Sequence, residues 1–152
     1  MNDSKKIDIV DTRFGKNVTI VNPVNIYGSE IGADVFIGPF VEIQKGTVIG
    51  SKTKIQSHSF ICEGVEIGEN CFIGHGVMFV NDLFRSGNPA GGDKKKWVKS
   101  VLGSNVSIGS NATILGVSIC DRTVIGAGSV VTRSIQKPGI YAGNPAKLLR
   151  TI

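Results

Sequence analysis

Charge is scarce in this sequence: only 19% of its 152 residues are Asp, Glu, Lys or Arg. Aromatics make up 7%, so a core has to come mostly from Ile and Val. No apolar run approaches the roughly 18–20 residues that cross a bilayer, which argues against a membrane-spanning helix. The opening Met1-Asn2-Asp3-Ser4-Lys5-Lys6 lacks the apolar core of a secretory signal. Cysteine is limited to Cys62, Cys71 and Cys120, an odd number without metal-type spacing. They read as buried small residues of a protein in a reducing cytoplasm.

Glycine is plentiful, at 20 residues, and suggests many tight corners rather than long helices. The length suits one domain. A net charge of +5 favours an anionic small ligand such as a nucleotide. It does not indicate nucleic-acid binding, because the basic residues are not interleaved with aromatics on one face.

The dominant signal is a period of six. Ile31, Ile37, Ile43, Ile49, Ile55, Ile61, Ile67 and Ile73 follow one another without a miss, ending at Phe79. Four places after each isoleucine stands a small or β-branched residue: Val35, Val41, Thr47, Thr53, Ser59, Val65, Cys71 and Val77. Neither a helical period of 3.6 nor simple strand alternation gives this spacing. A chain that turns a corner every six residues does, and three sides close a triangular coil of about 18 residues whose neighbours stack at roughly 4.8 Å. Gly follows Ile at positions 32, 38, 50, 68 and 74, where a corner is expected to need unusual backbone angles.

The rhythm starts at Phe14, Ile20 and Ile26, slips by one residue before Ile31, and resumes at Leu102, Ile108, Ile114, Ile119, Ile125 and Val131. Coils are thus expected over about 14–79 and 101–135. Residues 80–100, roughly Asp82 to Ser100, read as an expelled loop, and long loops in compact domains usually carry function. The tail over 136–152 is expected to leave the prism, with a short helical turn from Ala146 to Ile152.

These features, together with Ile125-Gly126-Ala127-Gly128-Ser129-Val130-Val131-Thr132-Arg133 and Tyr141-Ala142-Gly143-Asn144-Pro145-Ala146-Lys147-Leu148-Leu149-Arg150, resemble the hexapeptide-repeat acyltransferase family over about residues 14 to 152. The resemblance implies an all-β fold, a left-handed parallel β-helix of hexapeptide repeats, assembled as a homotrimer. It also implies acetyl-CoA as co-substrate, lying in a groove between two prisms. By motif match, the backbone at Ser110 and Ala127 would contact the pantetheine arm. Thr132 and Arg133 would lie near the adenosine end, with Arg150 on a phosphate and Lys147 beside it. Cations clustered there suit a phosphate-rich ligand.

The Phe79-Val80-Asn81-Asp82 element at the start of the loop resembles the subgroup that N-acetylates amino sugars carried on nucleotides. Stacking arithmetic sharpens that site. Glu63 and Asn81 are 18 apart and should project from one corner on adjacent coils, within about 5 Å along the stack. A carboxylate can hold an ammonium group or take its proton. An amide can accept from the amine, or donate to an oxyanion. His75 sits at the next corner back, with Ser57 as column neighbour and His58 beside that, and histidine is the usual base near neutral pH. The expected catalytic set is therefore His75, Asn81 and Glu63. The expected substrate-binding set is Asp82, Arg85, His58 and Trp97, where Arg85 and Lys94-Lys95-Lys96 would meet a diphosphate and Trp97 a ring. Transfer should be direct, because no cysteine is paired with a base.

Three alternatives stay in view. A metal enzyme of the γ-carbonic-anhydrase type would need three histidine ligands, and the chain has two histidines. An O-acetyltransferase, or a transferase to a non-sugar amine, would keep acetyl-CoA and change the acceptor. A purely structural β-helix scaffold would bind no coenzyme.

Overall fold

The expected coil is present in a computed structural model that describes residues 8–152. The opening Met1 to Lys6, read above for a signal sequence, lies outside the described residues. Very short parallel strands, most of two residues, build three sheets around one prism. The register follows the repeat. Ile31 pairs with Ile49, Ile37 with Ile55 and Ile43 with Ile61. Across the expelled loop Ile67 pairs with Leu102 and Ile73 with Ile108, so excising the loop leaves the ladder unbroken.

The column isoleucines are buried on one axis, Ile37, Ile43, Ile55 and Ile61 completely so. The second repeat position is equally buried, hydroxyls included. Those hydroxyls are satisfied by the coil itself: Thr47 donates to the Cys62 carbonyl at 3.3 Å, Thr53 to Gly68 at 3.0 Å and Ser59 to Gly74 at 2.8 Å. A polar atom at a core position is thus tolerated because a carbonyl stands within reach.

Three expectations need correction. The glycines after isoleucine are not where the chain needs unusual angles. Left-handed φ falls two positions later, at Asp34, Phe40, Gly46, Lys52, His58, Gly64, Asn70 and Gly76. Glycine follows isoleucine because the next coil lies against it: a Cβ on Gly50 would stand 2.4 Å from the carbonyl carbon of Gly68. The ladder also begins before Phe14, since Ile9 already pairs with Ile26. The tail does not turn helical. Ile140–Gly143 extends the ladder, with Ile125 beside Tyr141, and Ala146–Arg150 folds back antiparallel on it. Tyr141 occupies an aliphatic column position there, an exchange that a search for aliphatic spacing passes over.

The only helical element among the described residues is a single 3-10 turn, Lys94–Lys96, in the expelled loop. Among these residues no helix is long and apolar enough to cross a membrane.

Candidate functional site

Three long edges run along the prism where consecutive sheets meet, and two of them gather most of the expected site residues. One edge joins the strand ending at Ile61 to the next sheet. It carries Glu63 and Asn81 on adjacent coils, with the Asn81 amide 3.5 Å from the Glu63 carbonyl. The predicted stacking of the two residues is present, with the Asn81 amide on the Glu63 backbone carbonyl and not on its carboxylate. The expelled loop leaves the prism here, and its end returns to the same place, where the Val98 amide donates to the Asn81 carbonyl at 2.8 Å.

Beneath the loop, Glu63, Gly64, Asn81, Lys94, Trp97, Val98 and Lys99 enclose a cavity of about 140 Å³. The Glu63 carboxylate is occupied: the Lys94 ammonium lies 2.5 Å from Oε1 and also 5.5 Å from the centre of the Trp97 ring. Lys94, grouped by sequence with Lys95 and Lys96 toward a diphosphate, is paired with Glu63 in this structure. Sequence reasoning also missed Gln44, one coil below. Its Oε1 accepts from the Glu63 amide at 3.2 Å and its Nε2 donates to Glu42 at 2.8 Å. Burial, then the carboxylates of Glu42 and Glu63, push the nearby Tyr27 phenol above its usual range. The 19-residue step from Gln44 to Glu63 was the only signal for this neighbour.

A second cavity, of about 380 Å³, lies within the loop. Its lining includes Asp82, Arg85, Lys95, Lys96 and Trp97. Asp82 spends its carboxylate on the loop, accepting from Phe84 at 3.2 Å and from Ala90 at 2.7 Å. Arg85, Lys95 and Lys96 are exposed and give this cavity a cationic wall.

His75 is on a different edge from Glu63. Its Nδ1 lies 2.8 Å from Ser57 Oγ, as the column arithmetic required. His58 stacks on Phe40 with ring centroids 4.9 Å apart, one step down the same edge. Upward, the register places Ser110 and Ala127 in the column of His75. Gly128 N–H donates to the Ser110 carbonyl at 2.8 Å. A Cβ on Gly128 would meet nothing within 4 Å, so the backbone is open to a ligand there, whereas Gly126 faces the Ala142 side chain and serves coil packing.

Thr132 and Arg133 follow Val131 on the Glu63 edge, and register sets Arg133 two coils above Asn81. Lys147 and Arg150 lie exposed on the terminal hairpin. The cofactor set expected from the motif is therefore spread over two edges and the hairpin of one chain. Among the described residues no three His, Cys, Asp or Glu side chains gather as metal ligands would. Burial pushes the Cys62 thiol up to about 12 and raises Cys71 as well, so neither supplies a thiolate nucleophile near neutral pH.

The family model described as bacterial transferase hexapeptide (six repeats) matches residues 28–62 and 46–81. The hexapeptide repeat of succinyl-transferase matches 101–133, resuming where the expelled loop ends. The bifunctional protein GlmU of Streptococcus uberis is 30% identical over 150 residues, covering 93% of this chain and 32% of its own. GlmU of Acetivibrio thermocellus is 39% identical over 109 residues, covering 71% and 21%. The chain thus spans a third or less of the length of these curated relatives. Among solved structures, a mutant of AntD, an N-acyltransferase from Bacillus cereus in complex with dTDP and coenzyme A, superposes with a TM-score of 0.80. The two are 25% identical, over 93% of this chain and 83% of that one. A hexapeptide-repeat acetyltransferase from Vibrio cholerae in complex with acetyl coenzyme A gives a TM-score of 0.66 at 25% identity, covering 77% and 67%.

Proposed function

The chain belongs to the bacterial hexapeptide-repeat transferases, and we propose that it moves an acetyl group from acetyl-CoA to the amino group of a nucleotide-linked sugar. The observation that carries this reading is Glu63 stacked against Asn81 under the expelled loop, with the Glu63 carboxylate already holding a primary ammonium, that of Lys94. The dTDP and coenzyme A bound to AntD support the same reading.

In this reading the protein acts as a homotrimer. The His75 edge and the Glu63 edge bound one sheet, which contains Glu42–Ile43, Phe60–Ile61 and Met78–Val80. If that sheet turns to a threefold axis, the His75 edge of each copy meets the Glu63 edge of its neighbour. The donor then runs along Ser110 and Ala127, reaching Thr132 and Arg133 across the seam, with Lys147 and Arg150 toward its phosphates. The thioester ends near His75. Arg85, Lys95 and Lys96 take the acceptor diphosphate and Trp97 lies against a ring.

Glu63 holds the acceptor's ammonium, which loses one proton to solvent, and the free amine attacks the acetyl carbonyl. Asn81 donates to the oxyanion; His75 takes the second nitrogen proton from the tetrahedral intermediate and passes it to the departing sulfur, so the C–S bond breaks and CoA leaves as the thiol. Most of the rate gain comes from holding amine and thioester together. The test is thiol release from acetyl-CoA with nucleotide-linked amino sugars, neutral nucleotide sugars and simple sugars in parallel. Release confined to the amino-sugar nucleotides supports the assignment; release with hydroxyl acceptors alone, or none at all, removes it.

A further inference from the structure

We propose that Lys94 is a built-in occupant of the amine subsite, which the acceptor's own ammonium must displace. The inference rests on the reading of Glu63 as the acceptor's anchor. Lys94 presents the same chemical group that an amino-sugar acceptor presents, a primary ammonium. It lies 2.5 Å from the carboxylate oxygen and over the Trp97 ring. Glu63 is the least exposed carboxylate in an ion pair among the described residues, at 27% of its side chain. Leaving such a carboxylate bare in a small cavity costs free energy. Exchange of one ammonium for another keeps it paired throughout.

The three lysines of the turn are not equivalent. Lys95 and Lys96 line the larger cavity, and among the described residues neither forms an ion pair. Release of Lys94 would not free the loop, because the Val98–Asn81 backbone bond and the Asp82 bonds to Phe84 and Ala90 hold it independently. The expected consequence is a uniform tax on acceptor affinity, set by the fraction of protein in which Lys94 has vacated the carboxylate. An acceptor that grips only through its amine competes poorly. One that also fills the cationic cavity has contacts left over to drive the exchange.

The experiment is made on the whole protein. In Lys94→Met the acceptor KM is expected to fall about two- to fivefold, the range an ion pair this exposed spans. In parallel, lysine acylation by a small activated ester is followed by mass spectrometry. Lys94 should label more slowly than Lys95 and Lys96; Glu63→Gln should abolish the difference, and saturating nucleotide-linked amino sugar should speed Lys94 while slowing Lys95 and Lys96. A KM that is unchanged or raised in Lys94→Met, with the wild type active, overturns the inference alone. So does a Lys94 that labels as fast as its neighbours in the wild type. If no nucleotide-linked amino sugar is turned over by the wild type, the acceptor reading fails and the inference with it.

Discussion

Ser57 Oγ lies 2.8 Å from His75 Nδ1, one coil directly beneath it on the same edge of the prism. The contact fixes the imidazole's rotation and leaves Nε2 as the free ring atom. If His75 takes the proton from the attacking amine, His75→Ala should lower kcat by about 10²–10⁴, the usual range for a lost general base. Ser57→Ala removes only the orienting contact and should cost far less. Thiol-release kinetics across pH decide this: loss of the acidic limb in His75→Ala supports the role, and an unaltered profile at full turnover removes His75 from the mechanism.

Glu63 and Asn81 should separate in kinetics although they are stacked neighbours. Glu63→Gln loses the anion that holds the amine and should raise the acceptor KM. Asn81→Ala removes the oxyanion donor and should lower kcat by about 10²–10³. Equal effects of both substitutions on KM, with kcat untouched, would reduce Asn81 to a binding group.

The coil spacing predicts which glycine matters. Gly50→Ala places its Cβ 2.4 Å from backbone of the next coil, where nothing flexible can yield. It should cost about 1–3 kcal/mol or more, as overpacking in a tight core does. Gly46→Ala meets no atom closer than 4.0 Å but must hold φ of +71. Its cost should be about 1–2 kcal/mol, from the left-handed backbone alone. Denaturation midpoints of the two variants, compared in the same buffer, test the ordering.

Cys62 and Cys71 should resist alkylation. A thiol pushed to about 12 is almost wholly protonated at pH 8, and the thiolate is the reactive form. Iodoacetamide should modify the half-buried Cys120 first, and the other two only after unfolding. Early modification of Cys62 in the folded protein, or an acetyl group retained on it, would contradict direct transfer.

Much of this molecule could be read before folding. A strict six-residue return of isoleucine specifies a corner every six positions, so column partners follow by adding 18. That arithmetic placed Asn81 over Glu63 and His75 over Ser57 without any coordinates. The same logic misread the glycines, because spacing alone does not tell a glycine that turns the chain from one that makes room for the next coil. It also stopped at Val131, since the next column residue, Ile135, follows after four positions instead of six, and Tyr141 then continues with a side chain the pattern does not contain.

The amino-acid order by itself determined the prism, its register across the gap from Ile67 to Leu102, and the edge on which each polar group would stand. It could do so because each coil repeats one local backbone ladder at a constant rise. Only the tertiary structure decided that Lys94 reaches back over 31 residues to Glu63, that Asp82 is consumed by its own loop, and that the end of the chain forms a hairpin. Those outcomes depend on which side chain an irregular segment brings within hydrogen-bond distance, and no periodicity governs such a segment.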